Sequence, residues 1–340
     1  MTNKRIAFLT EANFRGTIER NFEHTRTEYA WYIALGAIHY PIIEYYDVSN
    51  YDYVFIILPK GDVNLNSAGS KLTSESRRPL LFNMLDDPNF LDTLKNQNSK
   101  ICFVQEGPSW YFTDYELVYQ FKYHNFINSC DMIFTHNEYD KLFFTGLFPD
   151  KEIYKIPTLL IEDTIQNLKS TYEDKTIIGG NFANWYGGFQ SYAVARTFNN
   201  EIFVPEMHCK RESEEQIDRL HHIGHTNWTT WMNNVSTFKY AVHLMPTIAA
   251  GTFNLNMAYF GIPCIGNEKV DTQRLCFPDT SIDVNDMVSA KRIAQQLLQD
   301  KDFYTKVSLN AIDNYKKYFH ETVFISGMQE ILNDKRNLGL

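Results

Sequence analysis

Residues 239–266 read KYAVHLMPTIAAGTFNLNMAYFGIPCIG. An apolar run ends at Pro246, a loop of small residues follows, and apolar residues then recur at helical spacing from Thr252 onwards. Gly261 and the proline that follows shortly after it end the helical pattern and lead into another apolar run. The stretch therefore predicts a strand, a loop, a helix and a second strand.

The loop in this stretch predicts an anion-binding site. In a parallel α/β sheet such a loop lies at the carboxyl edge, where open folds of this class bind their ligands. The helix that begins at Thr252 brings unpaired backbone N–H groups and the positive end of its dipole to the same point. We therefore expect a phosphate group to bind beside Gly251 and Thr252.

Strand and helix patterns alternate along the rest of the chain. Apolar runs at residues 4–10, 41–48 and 52–59 predict the first three strands, with a helix between the first two. Later, an amphipathic helix is expected to lead up to Leu220, and the segment around Arg274 is expected to be a loop. Because the alternation is uninterrupted, it favours parallel sheets with right-handed crossovers.

Length and composition indicate two globular domains. The chain has 340 residues, of which 44% are hydrophobic and 21% are charged, and this suits two separate cores. We predict an α/β fold with two Rossmann-like domains at residues 1–165 and 166–315, followed by a helical segment at residues 316–340.

Charge and cysteine usage narrow the classes of function. A formal net charge of −9 argues against a general polyanion binder, because phosphate contacts on nucleic acids need clustered Lys and Arg, although a local basic cleft is compatible with it. The five cysteines are scattered through apolar runs, which suits reduced core thiols better than disulfides or a metal site. No signal sequence and no run of about 20 apolar residues is found, so a cytoplasmic protein is expected.

The segment GTFNLNMAYFGIPCIG, residues 251–266, resembles the donor-binding region of GT-B glycosyltransferases, particularly the retaining family 4 type. The glycine-rich turn GGNFANWYGG, residues 179–188, is similar to the turn that opens the donor domain of such enzymes. In the family an acidic residue on the helix, with a partner eight residues earlier, holds the ribose. Here those positions fall on Asn256 and Ile248, so both acids are absent and Asn256 offers a single amide.

The resemblance implies that the two domains face each other across a cleft and that the last helix crosses back to the first domain. The second domain would bind a nucleoside diphosphate sugar, with transfer proceeding with retention and without metal or cofactor. Charge that develops on the departing phosphate would be stabilised by backbone amides and cations. The candidate donor-binding residues are Gly179, Gly180, Asn181, Lys210, Arg211, Gly251, Thr252, Phe253, Asn256 and Arg274.

The first domain would bind the acceptor. Its candidate catalytic groups follow predicted strands or lie in the loop after the first strand, and they are Glu106, Glu11 and His24. The candidate acceptor contacts are Arg15, Arg20 and Arg26. A glycan or a small molecule is the simpler acceptor, and a hydroxymethylated DNA base, as in DNA modification by bacteriophages, is the alternative.

Other classes of protein fit the same α/β pattern. A dehydrogenase would carry a dinucleotide fingerprint, which is absent, and a periplasmic binding protein would carry an export signal. A nucleotide-sugar epimerase would convert the donor without an acceptor, and a non-catalytic nucleotide-sugar binding protein would convert nothing. A monomer and a homodimer are both compatible with the sequence.

Overall fold

The structure is a computed structural model and describes most of the chain's residues. These are residues 4–12, 14–22, 27–42, 47–58, 90, 92, 94, 98–114, 116–182, 185–206, 214 and 216–333.

The first half of the chain forms a six-stranded parallel sheet. Its strands are β1 Ile6–Thr10, β2 Ile38–Pro41, β3 Tyr53–Ile56, β4 Lys100–Val104, β5 Met132–Thr135 and β6 Glu152–Lys155, in the order β2-β1-β3-β4-β5-β6. The described helices of this half are α1 Thr27–Leu35, α2 Leu117–Ser129 and α3 Glu138–Leu147.

The second half forms another six-stranded parallel sheet. Its strands are β7 Glu173–Ile178, β8 Glu201–Pro205, β9 Leu220–Ile223, β10 Phe238–His243, β11 Cys264–Asn267 and β12 Ser281–Ile282, in the order β12-β11-β10-β7-β8-β9. The helices are α4 Gly188–Ala195, α5 Trp228–Val235, α6 Thr252–Phe260, α7 Asp271–Cys276, α8 Met287–Gln299, α9 Lys301–Tyr318 and α10 Glu321–Asn333.

The strand order of the second sheet creates a ligand-binding crevice. The chain runs outward from β7 through β8 and β9, then returns to place β10 on the other side of β7. The loops that follow β7 and β10 therefore diverge at the carboxyl edge, and doubly wound sheets bind ligands at this switch point.

Both faces of the first sheet are covered by apolar cores, as expected for a parallel sheet. Side chains of successive strand residues point to opposite faces, so Phe55 joins one core while Val54 joins the other. Phe8 stacks on Phe55 within the first of these cores, with ring centroids 4.9 Å apart. The aromatic richness of the sequence thus serves largely to fill the interior.

Helix α10 completes the core of the first domain, as expected from the sequence. Its buried residues Phe324 and Met328 belong to the same core as Trp31 of α1, and the rings of Trp31 and Phe324 are 5.1 Å apart. The Tyr53 hydroxyl donates to the backbone carbonyl of Leu332 at 2.9 Å. Helix α9, by contrast, packs in the second domain through Val307 and neighbouring residues.

The carboxyl edges of the two sheets meet. The Lys155 ammonium at the end of β6 pairs with Asp271 of α7 at 3.0 Å and with Glu138 of α3 at 3.1 Å. Asn137, which follows β5, donates to the backbone carbonyl of Ala249 in the loop after β10 at 3.5 Å. The loops that carry the candidate site therefore border the contact between the domains.

One local prediction was wrong, and two others are tested only in part. The segment around Arg274 is helix α7 rather than a loop. Strand β9 begins at Leu220, where the predicted helix was to end, and residues 207–213 of that helix lie outside the described residues. Strand β2 is Ile38–Pro41 and so begins before the strand predicted at residues 41–48, of which 43–46 lie outside the described residues; Gly36 adopts a left-handed conformation (φ 62°) and ends α1 before β2. Within the described ranges, every helix is too short or too polar to cross a membrane.

Candidate functional site

Helices α4 and α6 both begin at the switch point without a side-chain cap. Their N-cap residues are Gly187 and Gly251, both left-handed with φ of 63° and 73°, and neither helix has an acidic residue in its first turn. Helices α3, α5, α8 and α9 instead have Asn or Asp caps whose side chains accept backbone hydrogen bonds. The backbone N–H groups that begin α4 and α6 have no side-chain cap to satisfy them, which is the arrangement that binds anions.

The turn after β7 lies directly against the end of β10. A Cβ atom on Gly179 would lie 2.3 Å from the ring of His243, and one on Gly187 would lie 2.0 Å from the carbonyl oxygen of Leu244. The Ser191 hydroxyl of α4 accepts a hydrogen bond from the Leu244 backbone N–H at 2.9 Å. Only glycine allows the backbones of the two loops to approach this closely.

The turn that begins α6 is held by α7. A Cβ atom on Gly251 would lie 2.0 Å from Oγ1 of Thr272 and 2.7 Å from Cγ1 of Val270. The same Thr272 hydroxyl donates to the Gly251 carbonyl at 2.8 Å. Thr272 therefore anchors the loop, although sequence reasoning did not identify it.

His243 ends β10 and lies between the two turns. Its Nδ1 is 2.9 Å from Oδ1 of Asn254, whose Nδ2 donates to Oε1 of Gln273 at 2.6 Å. Since the Asn254 oxygen can only accept, the Nδ1 of His243 carries the proton. Burial lowers the pKa of His243 to about 4, so the ring is neutral at pH 7.

The other ring nitrogen of His243 points into a buried environment. Among the described residues, no hydrogen-bond partner reaches Nε2. The ring of Phe253 meets the His243 ring edge-on with centroids 4.8 Å apart, and the backbone of Gly179 also lies close to the His243 ring. The two predicted donor loops, which are distant in sequence, thus meet at this histidine.

Of the remaining donor candidates, Gly180 and Asn181 lie in the same turn as Gly179. Asn181 is buried, and a Cβ atom on Gly180 would lie 2.8 Å from Cβ of Tyr186. Thr252 is the first residue of α6 and is partly exposed at its uncapped end. These residues share one edge of the second sheet with Gly251 and Phe253.

Asn256 and Arg274 have partners of their own in the second domain. Asn256 is buried on α6, where its amide accepts from the Trp231 indole at 2.9 Å and donates to the Thr252 carbonyl at 3.0 Å. Arg274 is half-exposed on α7 and pairs with Asp271 at 3.2 Å. The Asn256 amide therefore joins α6 to α5 in this structure, and Arg274 borders the contact between the domains.

In the first domain, Glu11 and Glu106 follow β1 and β4 at the carboxyl edge. Gly107 has a positive φ of 88°, and its carbonyl accepts from Nε2 of Gln105 at 3.1 Å, so the chain turns sharply around Glu106. Strand β5, the neighbour of β4, leads to Asn137, which reaches the loop after β10. Glu106 therefore lies on the edge of the first sheet that borders the second domain.

The arginines predicted to contact the acceptor have different surroundings. Arg20 pairs with Asp163 at 2.8 Å and with Glu321 at 2.6 Å, which joins the first loop to the linker and to α10. The Arg15 guanidinium lies 5.2 Å from the ring centroid of Tyr40. Four further candidates lie outside the described residues: His24, Arg26, Lys210 and Arg211.

Two parallel Rossmann-like sheets that meet at their carboxyl edges, with a final helix returned to the first domain, form the GT-B fold of nucleotide-sugar glycosyltransferases. The predicted fold is therefore confirmed. No family model and no curated protein sequence matches the chain.

Among solved structures, one match is an alpha-glucosyltransferase in complex with UDP-glucose and DNA containing an abasic site. It has a TM-score of 0.64 and 12% identity, over 98% of this chain and 100% of that one. Sucrose-phosphate synthase from Thermosynechococcus elongatus matches with a TM-score of 0.64 and 11% identity, over 99% of both chains. HepE from Anabaena in complex with UDP matches with a TM-score of 0.66 and 9% identity, over 96% of this chain and 99% of that one. At such identities the likeness is one of fold.

Proposed function

We propose that this protein is a glycosyltransferase that moves a sugar from a nucleoside diphosphate sugar to an acceptor hydroxyl. One observation carries the proposal: the uncapped amino termini of α4 and α6 begin at left-handed glycines around the same switch point. Two such ends supply backbone N–H groups for a diphosphate, and neither helix has an acidic side chain in its first turn to compete for them. Proteins of the same fold that contain UDP or UDP-glucose support this assignment.

The chemistry follows from where negative charge develops. As the bond between the sugar and the diphosphate breaks, charge accumulates on the departing phosphate, and N–H groups that are already oriented stabilise it without reorganisation. Arg274, Lys210 and Arg211 are the proposed cationic partners of the diphosphate. His243 acts indirectly in this scheme, since its ring contacts both the Gly179 turn and Phe253.

The acceptor is proposed to bind over the first domain. Glu106 is the favoured acceptor-side group because it lies on the carboxyl edge that borders the second domain, with Glu11 and His24 as further candidates. Retention of configuration and independence from metal remain part of the proposal. A glycan or a small molecule is one acceptor class. A hydroxymethylated DNA base is the second, supported by a match over 98% of this chain to a glucosyltransferase bound to DNA.

The donor can be identified by thermal unfolding in the presence of UDP-, GDP- and ADP-sugars. A donor at about 100 times its dissociation constant adds about 2.7 kcal/mol to the free energy of unfolding. We expect one nucleotide class to raise the unfolding temperature and the others to have little effect. If none of them changes it, the proposal is wrong.

Measurement of turnover then distinguishes a transferase from an epimerase and from a non-catalytic sensor. The stabilising donor is incubated alone, with simple glycan acceptors, and with duplex DNA that either contains or lacks hydroxymethylated bases. A transferase releases the nucleoside diphosphate only when the right acceptor is present. Conversion of the donor without any acceptor would instead indicate an epimerase, and binding without conversion under all conditions would indicate a sensor.

A further inference from the structure

The outer face of α2 and α3 is an apolar surface without a covering element in the described part of the chain. Leu142 is 70% exposed and Leu117 is 66% exposed, although both are large aliphatic side chains. Val118, Phe121 and Tyr139 are also more than a third exposed. Single exposed apolar residues are ordinary, whereas a cluster of them marks a contact surface.

The spacing shows that each helix has a continuous apolar stripe on its outer side. On α3, residues 139, 142 and 147 recur at helical spacing, while Phe144 faces inward and is fully buried. On α2, residues 117, 118 and 121 form one exposed group, while Phe126 and Ile127 face the core. Each helix is thus apolar on its inner side and on part of its outer side.

The two stripes belong to one surface. Both helices pack on the same core, since Phe126 of α2 and Phe144 of α3 lie in the same buried cluster. Near the end of α3, the rings of His124 and Phe148 are 4.8 Å apart. At the start of α3, Ser109 hydrogen-bonds Asp140, and Ser109 belongs to the turn that leads into α2.

We propose that this surface, formed by Leu117, Val118, Phe121, Tyr139, Leu142 and Leu147, is where two copies of this chain associate about a two-fold axis. The size of the surface supports this. Large apolar side chains of roughly 200 Å² each, about half exposed, give about 600 Å² of apolar area. One partner of a standard interface buries about 800 Å², of which a little over half is apolar.

The charges around the surface favour a second copy over a membrane. Glu116 lies at the start of α2 and Lys141 lies on α3 beside Leu142, so charges of both signs border the apolar stripes. A two-fold interface brings the same patch against itself, and a patch with both signs can then pair with its copy. Helices that bind lipid surfaces instead have a polar face rich in Lys and Arg.

The test is the mass of the full-length protein in sedimentation equilibrium across a range of concentrations. We expect the wild type to approach twice the 39.8 kDa of one chain. Leu142→Glu and, on the other helix, Phe121→Glu should each raise the dimer dissociation constant at least about 100-fold, because each substitution occurs twice in a two-fold interface. Leu309→Glu is the matched control, since Leu309 is exposed on α9 of the second domain and should leave the dimer intact.

Thermal unfolding of each variant tests whether its fold is retained. If Leu142→Glu does not fold, Phe121→Glu provides the test. A wild type that stays monomeric at about 50 µM, well above the dissociation constants typical of interfaces of standard size, would contradict the proposal. So would a dimer that survives both substitutions. A monomer that sediments with vesicles of anionic phospholipid, and loses this with Leu142→Glu, would assign the surface to a membrane instead.

Discussion

His243 is held in one protonation state by its surroundings. Its Nδ1–H is bound to Asn254, its ring contacts Gly179 and Phe253, and burial lowers its pKa to about 4. At a pH at which an exposed histidine would be protonated, the buried His243 stays neutral. Protonation then stabilises the unfolded state but not the folded state, so the free energy of unfolding falls. The stability of the second domain is therefore linked to pH through this residue.

The first prediction concerns this linkage. Because the folded pKa of His243 is depressed to about 4 from an ordinary 6.5, its contribution is intact above pH 6.5 and is lost as the pH falls toward 4. Between pH 7 and pH 5 the loss amounts to about 2 kcal/mol. We expect His243→Gln to remove this part of the pH dependence, as measured by urea unfolding at the two pH values.

The comparison between wild type and His243→Gln isolates one group. His39, whose pKa burial also lowers to about 4, and Asp140, whose pKa burial raises to about 6, titrate in the same range. Both are present in the two proteins, so their contributions cancel. An equal loss of stability in wild type and variant would show that His243 is not held neutral.

The second prediction concerns the left-handed glycines. Gly251→Ala places a methyl group 2.0 Å from Oγ1 of Thr272 in a backbone conformation with φ 73°. Gly36 has a similar φ of 62°, but a methyl group there would have nothing within 4 Å, so Gly36→Ala measures the conformational strain alone. We expect about 1–2 kcal/mol of destabilisation for Gly36→Ala and about 1–3 kcal/mol more for Gly251→Ala, by denaturant unfolding. Equal losses would mean that the turn can move away from α7.

At the scale of elements, the uncapped amino end of α6 can bind either a carboxylate side chain or the diphosphate of the donor, and the two compete for the same N–H groups. A carboxylate at the first position of a helix stabilises it by about 0.3–1 kcal/mol, but here it would occupy the site proposed for the diphosphate. We therefore expect Thr252→Glu to keep or slightly raise the free energy of unfolding while weakening donor binding by at least about tenfold. Calorimetric titration with the stabilising donor measures the second effect.

The matched control for that substitution is Val288→Glu, in the first turn of α8. Val288 is exposed on a helix that Asp286 already caps, so the same carboxylate should leave donor affinity unchanged. Equal donor affinity in Thr252→Glu and wild type would exclude the amino end of α6 from the donor site.

The elements predicted from the sequence are determined by local pattern, whereas those that were missed are determined by tertiary contacts. Strand β10 and helix α6 were predicted because a long apolar run, a glycine turn and a periodic pattern all agree locally. Strand β9, LHHI, contains two histidines and is a strand because it pairs with β8. Helix α7 has six residues and no side-chain cap, so tertiary contacts rather than local propensity determine it.

The same distinction applies to the site. Gly179, Gly251 and Thr252 are recognisable because turn chemistry appears in the local sequence. The anchoring roles of Thr272 and Gln273 depend on bonds to residues 21 and 19 positions away, which only the folded chain brings together. The cationic partners of the diphosphate remain a prediction.

For the whole molecule, the return of α10 to the first domain links the end of the chain to its beginning. Phe324→Ala should cost about 3–5 kcal/mol, because it leaves a cavity beside Trp31 in a fully buried core. Phe189→Ala, at a site that is 72% exposed, should change stability by less than about 0.5 kcal/mol.

Hydrogen exchange shows which of the two sheets Phe324→Ala destabilises. Amides of β1 and β3 should exchange faster in Phe324→Ala than in the wild type, while those of β7 and β10 keep their protection. Equal loss in both sheets would instead mean that the two domains unfold as a single unit.

Helix α10 also has a consequence for biosynthesis. A ribosome completes residues 1–165 long before it reaches Phe324, so the nascent amino-terminal half emerges with part of its interior open to water. That half must wait for the entire second domain to be translated before its last helix arrives. A premature stop codon that removed only the final turns would therefore damage the part of the protein that was synthesised first.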